Sequence, residues 1–302
     1  MDFSGIWPVA PTPFHPNGQT DEDGMRRVLD CMIDQGADGI CVLANYSEQF
    51  LLGDPEWKAL MQLSLAHVAG RVPVIVTVNH YSTAVAVKKA VSAREAGASA
   101  FMMMPPFYGV GMQPGPQQVF ERFKVMGDLG LPLMVQDAPV SGVDLPVPLL
   151  AKMAREIEML QAFKIECPRA ADKIRALVAA GVADHATPLD GEEGITLMAD
   201  LEAGARGAMT SALLPDLIGP VIAAFARGDR AAARAGHARV LPAINHENRQ
   251  CGFLATKAAM VAGGVIASDF SRHPVQPLAP ETRAQLLDLL APLDPLVLRW
   301  GK

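Results

Sequence analysis

The feature that most constrains the fold is a regular alternation of short apolar runs with longer segments of helical period. Such an alternation is typical of strand–helix units arranged around a parallel sheet. The apolar runs predict eight strands, near residues 5–11, 39–45, 73–79, 100–105, 132–137, 160–166, 185–190 and 207–212.

A predicted helix follows each run, and a glycine stands near the end of most of these helices. The helices are expected at residues 22–34, 55–68, 83–96, 116–128, 148–157, 170–180, 193–203 and 216–227, and the glycines are Gly36, Gly70, Gly97, Gly181, Gly204 and Gly228. Glycine suits the left-handed residue at a helix end. Eight such units, with no Gly-rich dinucleotide-binding turn after the first strand, favour an α/β fold of the (β/α)8 TIM-barrel type over an open doubly wound sheet.

The residues after the eighth unit, 229–302, have a different, Ala-rich helical pattern over residues 230–262 and 280–290. We therefore divide the chain into a barrel, residues 1–228, and a C-terminal helical extension, residues 229–302. Six consecutive polar residues, 245–250, interrupt the apolar pattern of the extension. They form either a solvated helix face or turn, or a polar network near the barrel mouth or at a subunit contact.

Composition and charge exclude several classes of protein. A net charge of −6 gives no basic stripe for nucleic acid. The N-terminus lacks the pattern of a signal peptide, and the most apolar stretch, residues 98–110, is short and contains Pro105 and Pro106. The spacing of the cysteines suggests neither a zinc site nor a disulfide framework, so we expect reduced thiols, a cytoplasmic location and no membrane partner. These cysteines are Cys31, Cys41, Cys167 and Cys251.

Lys164 is the most unusual residue, because it is a single lysine inside the apolar run of the sixth predicted strand, residues 160–166. An ordinary lysine, with a pKa near 10.4, is protonated at pH 7 by a margin of about 4.6 kcal/mol. Burial in an apolar strand opposes that charge. Lys164 is therefore the candidate for an amine that forms a Schiff base with a carbonyl substrate. The other lysines, Lys257 among them, lie in segments that predict solvated helix faces or the C-terminus.

Glu166 lies two residues beyond Lys164, so its side chain points to the same face of the strand. A carboxylate at this distance could exchange protons with a bound imine. Alternatively, the two residues form a buried ion pair that keeps the lysine charged and unreactive.

Further polar residues stand where other predicted strands end, which is the active-site end of a barrel. They are Asn45, Tyr46 and Ser47 after the second strand, Tyr108 after the fourth, Gln136 on the fifth, and Glu192 and Glu193 after the seventh, where Gly191 precedes them. Glu192 and Glu193 could equally be carboxylates at a helix N-terminus, where the helix dipole favours them.

Motifs spread over almost the whole chain resemble the dihydrodipicolinate synthase and N-acetylneuraminate lyase superfamily. Each motif is weak alone, but their order and spacing are specific. They are Gly-Ile-Trp-Pro-Val-Ala-Pro-Thr-Pro-Phe at 5–14, the loop at 44–48, Pro-Pro-Phe-Tyr at 105–108, Gly-Val-Asp-Leu-Pro at 142–146, Phe-Lys at 163–164, Gly-Glu-Glu at 191–193 and Gly-Ala-Arg-Gly at 204–207. The resemblance implies a Schiff-base-forming barrel enzyme that often forms a homo-oligomer, here a dimer or tetramer.

Two departures from the family pattern bear on the reaction. Ala-Asn-Tyr-Ser-Glu at 44–48 replaces the common Gly-Thr-Thr-Gly-Glu, so the resemblance implies that Asn45, Tyr46 and Ser47 hold the substrate carboxylate with altered side chains. Gln136 stands where the family's aldolases and synthases place a proton-transferring tyrosine.

Further site residues follow from the same resemblance. Glu166 replaces a small hydroxyl residue and could take over part of the acid/base work. Tyr108 matches a family tyrosine that could relay protons. Gly191 and Glu192 are implied to contact the substrate.

Within the family, the combination of motifs is most like a hydro-lyase that removes water from a five-carbon 2-keto-3-deoxy sugar acid, giving 2,5-dioxopentanoate in non-phosphorylating pentose breakdown. The resemblance implies neither a metal nor a cofactor. Two alternatives stay open. One is a class I aldolase that cleaves a 2-keto-3-deoxy sugar acid to pyruvate and an aldehyde. The other is a non-catalytic barrel that binds a keto acid.

Overall fold

The structure is a computed structural model that describes residues 1–107 and 112–302. In this part of the chain it contains eight strands, and each lies within one of the predicted apolar runs. Their bounds are β1 Gly5–Ile6, β2 Ile40–Val42, β3 Val74–Thr77, β4 Ala100–Met103, β5 Leu133–Asp137, β6 Leu160–Ile165, β7 Thr187–Asp190 and β8 Gly207–Ala208.

A helix follows each strand, and three more belong to the C-terminal extension. The first eight are α1 Glu22–Asp34, α2 Asp54–Val68, α3 Thr83–Glu95, α4 Pro116–Gly127, α5 Val147–Glu156, α6 Ala170–Ala179, α7 Leu197–Ala203 and α8 Pro215–Ala226. The extension adds α9 Arg230–His246, α10 Leu254–Ala262 and α11 Pro280–Leu290. The six glycines predicted to end helices all have positive φ, between 75° and 116°.

The strands form a sheet in the order β1-β8-β7-β6-β5-β4-β3-β2. The registered pairs from β3 to β8 are parallel. Beyond β1, Val9 bridges Cys41 of β2 on one side and Ser211 on the other, which joins the two ends of the strand order. The (β/α)8 barrel with C-terminal helices is therefore confirmed. Every residue of β3, β4 and β5 is buried, as expected when helices cover a parallel sheet.

The described chain forms two compact units. The first contains residues 1–4, 75–192 and 196–209, and thus most of β3, all of β4 to β8, and the helices α3 to α7. The second contains residues 5–74, 193–195 and 210–302, and thus β1, β2, α1, α2 and α8 to α11.

The structure differs from the predicted helices at two places. Helix α7 begins at Leu197 and not at Glu193, because Glu193 and Gly194 have φ of 55° and 85°, which a right-handed helix cannot accommodate. The interpretation of Glu192 and Glu193 as helix N-terminal carboxylates is therefore wrong. In the extension, a π-helical turn at Glu247–Cys251 and a break at Gly252 separate α9 from α10.

Among the described residues, no helix combines the length and the apolar character that crossing a bilayer requires.

Candidate active site

Strand β6 places Lys164 in the interior of the sheet. Its register partners are Gln136 on β5 and Leu189 on β7. Neighbouring strands cover it on both sides, and Lys164 is only 5% exposed. The burial predicted from the apolar run is confirmed.

Three side chains meet on this face of the sheet. The Nζ atom of Lys164 is in direct contact with Oε1 of Glu166. The Nε2 amide of Gln136 donates a hydrogen bond of 2.8 Å to the same carboxylate oxygen. Glu166 thus joins the amine to the amide, and its side chain is 15% exposed.

The Lys164–Glu166 contact has the geometry of the predicted ion pair, and it is also the geometry of a proton transfer. If the ammonium proton moves to the carboxylate, both charges disappear together. The same contact can therefore hold the lysine at rest and release it as a neutral nucleophile.

Gln136 has a second polar atom that bears on the chemistry. Its amide nitrogen faces Glu166, because a carboxylate accepts only from a donor. The Oε1 atom on the other side of the amide is buried and has no hydrogen-bond partner among the described residues. A buried acceptor in this state favours a ligand hydroxyl or a water.

Gly191, which follows β7, gives the lysine and the glutamate their space. A Cβ atom at Gly191 would lie 2.6 Å from Cγ of Glu166 and 2.9 Å from Cγ of Lys164. Only glycine fits there without moving both side chains. Glu192, the next residue, is partly exposed.

An ion pair stands at the end of β5, beside Gln136 in the chain. Nζ of Lys173 on α6 lies 2.6 Å from Oδ2 of Asp137, and the two side chains are 15% and 7% exposed. Burial raises the pKa of Asp137, while the hydrogen bond and charge of Lys173 oppose that rise. The pair ties α6 to the strand that carries Gln136.

The turn after β2 lies in the second unit and is held together by Ser47. The Ser47 hydroxyl donates to the Ala10 carbonyl at 2.6 Å and accepts from the Ala44 N–H at 3.0 Å. Its own N–H donates to the Ala44 carbonyl at 3.0 Å, and Thr12 Oγ1 donates to its carbonyl at 2.6 Å. The Ser47 donors are thus used within the protein.

The neighbours of Ser47 are more accessible. Asn45 and Tyr46 are partly exposed, and the Tyr46 ring packs edge-on against Phe253 with centroids 6.3 Å apart.

A buried carboxyl pair in the second unit was not predicted. Glu247, in the polar run 245–250, is 1% exposed, and Glu193 is 5% exposed. Burial raises the pKa of Glu247 well above its ordinary value, and the charge of Glu193 adds to the rise. Nδ2 of Asn248 donates to Glu193 at 3.0 Å. The run thus contributes to a polar network and is not a simple solvated face.

A second buried lysine corrects the expectation that only Lys164 lacks a solvated face. Lys257 on α10 is fully buried and forms an ion pair of 2.6 Å with Glu48, which is also buried. Burial lowers the pKa of Lys257, and Glu48 opposes this. The signal was present in the sequence, because Leu254–Ala262 has no polar face on which a lysine could be solvated.

Tyr108, the remaining predicted catalytic residue, lies outside the described residues. Within residues 1–107 and 112–302, no group of three or more His, Cys, Asp or Glu residues is placed to hold a metal ion.

Comparisons with known proteins match nearly the whole chain to one family of enzymes. The model of the dihydrodipicolinate synthetase family matches residues 2–292. The L-2-keto-3-deoxyarabonate dehydratase of Azospirillum brasilense is 51% identical over 298 residues, which cover 98% of this chain and 96% of that protein. The 4-hydroxy-tetrahydrodipicolinate synthase of Thermomicrobium roseum is 30% identical over 291 residues, covering 95% and 93%.

Solved structures give the same result for the fold. YagE, an E. coli prophage protein of the dihydrodipicolinic acid synthase family solved with pyruvate, superposes with a TM-score of 0.88 at 26% identity, covering 97% of this chain and 99% of that chain. Dihydrodipicolinate synthase from Aquifex aeolicus superposes with a TM-score of 0.90 at 24% identity, covering 97% and 99%.

Proposed function

The chain belongs to the dihydrodipicolinate synthetase family, and we propose that it is a Schiff-base-forming dehydratase that converts L-2-keto-3-deoxyarabonate to 2-oxoglutarate semialdehyde (2,5-dioxopentanoate) and water. The observation that carries the proposal is the buried cluster in which Glu166 contacts both the Lys164 amine and the Gln136 amide. It supplies a nucleophile, a proton carrier and a polar group for a hydroxyl. The dehydratase from Azospirillum brasilense, at 51% identity, supports the choice of reaction.

The reaction starts with Lys164. After its proton passes to Glu166, the neutral amine attacks the C2 ketone. Glu166 then returns that proton to the departing hydroxyl, so that water leaves, a protonated imine remains and Glu166 is again a carboxylate. The imine acidifies C3, and a base removes a C3 proton to form an enamine. We assign this proton transfer to Glu166, which is already in contact with the nitrogen.

Elimination follows from the enamine. The enamine expels the C4 hydroxyl, which takes the proton now held by Glu166 and leaves as water, so that a conjugated iminium remains. Loss of a C5 proton, tautomerisation and hydrolysis of the imine release the terminal aldehyde and regenerate the amine. We assign the departing hydroxyl to Gln136, whose buried Oε1 can accept its hydrogen bond, and a proton relay to Tyr108.

The substrate carboxylate is assigned to the turn after β2. Asn45 and Tyr46 would bind it through N–H and side-chain donors, as preorganised anion sites do. Because the donors of Ser47 are engaged with Ala10 and Ala44, its part is to shape the turn. Gly191 and Glu192 would contact the remainder of the substrate.

We further propose that the protein acts in the cytoplasm as a homodimer or homotetramer. The substrate is a small keto acid, as for other members of the family. Reduced thiols at the cysteines fit that compartment.

Product analysis tests the proposed reaction. The purified protein is incubated with L- and D-2-keto-3-deoxypentonates and with 2-keto-3-deoxyhexonates, and the products are identified by mass. We expect 2,5-dioxopentanoate from the L-pentonate. Pyruvate and glycolaldehyde would instead establish the aldolase alternative, against which the replacement of the family tyrosine by Gln136 argues.

Borohydride trapping tests the Schiff base separately from turnover. Pyruvate and borohydride should add mass to the peptide that carries Lys164, and the Lys164→Arg variant should not be modified. Lys88→Arg, the same change on the exposed face of α3, is the matched control and should trap like the unmodified protein. An unmodified Lys164 after treatment would favour a non-catalytic keto-acid-binding barrel.

A further inference from the structure

The turn proposed to bind the carboxylate is strained at both ends. Leu43, before it, and Glu48, after it, have φ of 61° and 58°, although neither is glycine. A left-handed conformation is unfavourable for residues with a side chain and persists only where the surroundings enforce it. The turn Asn45–Ser47 therefore depends on whatever holds Glu48.

Glu48 is held from the C-terminal extension by two donors. Nζ of Lys257 donates to Oε1 of Glu48 at 2.6 Å, and the hydroxyl of Ser271 donates to Oε2. The same ammonium donates to the carbonyl of Phe270 at 2.5 Å and lies 4.8 Å from the ring centroid of Phe14. Both carboxylate oxygens of a fully buried residue are thus fixed from different directions.

The Ser271 side of this contact belongs to a short segment, residues 268–272, which we call the strap. Arg272 anchors the strap to the same part of the chain. It donates to the Leu51 carbonyl at 2.8 Å and to the Gly18 carbonyl at 2.6 Å, and it pairs with Glu56. Arg272 thus binds the strap to residues that precede and follow Glu48 in the chain, and the strap does not depend on Ser271 alone.

A buried ion pair is a weak source of stability, because desolvation offsets most of its attraction. Apolar side chains of similar volume would fill the space as well. What the pair provides is geometry, since a carboxylate with both oxygens engaged has one permitted orientation. That orientation fixes the backbone of Glu48, whose N–H closes the turn by donating to the Asn45 carbonyl at 3.0 Å.

We infer that Lys257 and Ser271 are positioning residues that act through Glu48 to hold the turn Asn45–Ser47 in its anion-binding shape. The C-terminal extension thereby sets the affinity for the substrate carboxylate. This inference rests on the proposed function, because it assigns the carboxylate to that turn. Lys257 and Ser271 contact Glu48 directly, and their effect on the carboxylate is transmitted through it.

Ser271→Ala removes one donor and leaves the ion pair in place, which makes it the first test. Borohydride trapping is measured as a function of pyruvate concentration, and again with hydroxyacetone, a ketone without a carboxylate. We expect the half-saturating pyruvate concentration to rise roughly threefold to tenfold. This is the effect expected if part of the free energy of one hydrogen bond to a charged group is lost from pyruvate binding. The trapping rate with hydroxyacetone should stay the same.

Two matched variants make the result specific. Ser271→Thr keeps the hydroxyl and should have the same half-saturating pyruvate concentration as the unmodified protein. Ser268→Ala makes the same change in the same strap but removes only a local bond, in which the Phe270 N–H donates to Ser268 at 3.1 Å. It should behave like the unmodified protein. An equal effect of Ser268→Ala, or an equal loss with hydroxyacetone, would show general loosening and overturn the inference.

Lys257→Met alone would leave a buried carboxylate unpaired and could prevent folding. The double variant Glu48→Gln with Lys257→Met removes both charges and keeps the volume. We expect it to fold and to show a larger rise in the half-saturating pyruvate concentration, together with a higher KM for the sugar acid and a kcat within about twofold.

The outcomes separate the inference from the proposed function. A folded double variant with an unchanged pyruvate dependence would overturn the positioning role while leaving the dehydratase intact. If the unmodified protein is trapped normally with pyruvate but dehydrates no sugar acid, the proposed reaction is wrong and the positioning role is not affected. Absence of trapping in the unmodified protein would overturn both.

Discussion

Replacing Gly191 by alanine tests whether the close packing around Lys164 controls catalysis. The added Cβ would lie 2.6 Å from Cγ of Glu166, 2.8 Å from the carbonyl oxygen of Ile165 and 2.9 Å from Cγ of Lys164. All three distances are shorter than ordinary carbon contacts of about 3.5–4.0 Å. One neighbour is backbone and cannot rotate away, so the two side chains must move.

The size of the effect follows from these overlaps. Relief of three contacts that are each short by roughly 0.5–1 Å requires a shift of similar size in the amine and the carboxylate. A misplacement of about 1 Å in an active site lowers the rate on the order of 100-fold. Overpacking of this kind also lowers the free energy of unfolding by about 1–3 kcal/mol.

The assay compares kcat, the rate of borohydride trapping at Lys164, and the midpoint of thermal unfolding. Gly127→Ala is the matched control. Gly127 is the last residue of α4, and its added Cβ would lie 2.5 Å from Cγ2 of Ile157, which follows α5, and not against Lys164 or Glu166. We expect both variants to lose stability, but only Gly191→Ala to lose trapping and turnover. A Gly191→Ala protein that traps pyruvate at the unmodified rate would refute the packing argument.

Three further perturbations follow from the contacts of the site. Glu166→Gln should lower kcat by about 100-fold to 10,000-fold, the usual contribution of a general acid or base, and undiminished turnover would rule it out as the proton carrier. Gln136→Leu removes the 2.8 Å donor to Glu166 and the buried acceptor, and steady-state kinetics should show a drop in kcat of roughly 5-fold to 100-fold. Because burial raises the pKa of Glu247 above 4.5 in the folded state, the unmodified protein should lose stability as pH rises from about 4.5 through that raised pKa. The glutamine in Glu247→Gln does not titrate. The difference between the unfolding temperature of this variant and that of the unmodified protein should therefore increase in favour of the variant as pH rises over the same range. A difference that stays constant with pH would contradict this.

Much of the fold and the central residue of the site could be predicted from local patterns. Strand and helix periods are local properties, so the eight units were found in the right order, with each strand inside its predicted run. Lys164 was identified because a lone lysine in an apolar strand contrasts with its immediate neighbours. The start of α7 was missed, because the positive φ of Glu193 is imposed by its surroundings and not by its own preference.

The burial of Lys257 could have been inferred from its apolar helix, but its partner could not. Glu48 lies 209 residues earlier in the chain. Nothing in the sequence near either residue specifies the other, and the contact forms only when the extension packs on the turn after β2. The same holds for Glu247 and Glu193, which are 54 residues apart and share one buried region.

The sequence by itself determined the succession of strands and helices, the membership of the family and the choice of the lysine proposed to form the Schiff base, because each is recorded in residue types along the chain. Tertiary structure alone decided which groups touch: Glu166 bridging the amine and the Gln136 amide, Gly191 leaving them room, and the extension holding Glu48. Such contacts depend on distances of a few ångströms between segments that are remote in the chain, and hydrophobic periodicity specifies which face is buried but not which atoms meet there.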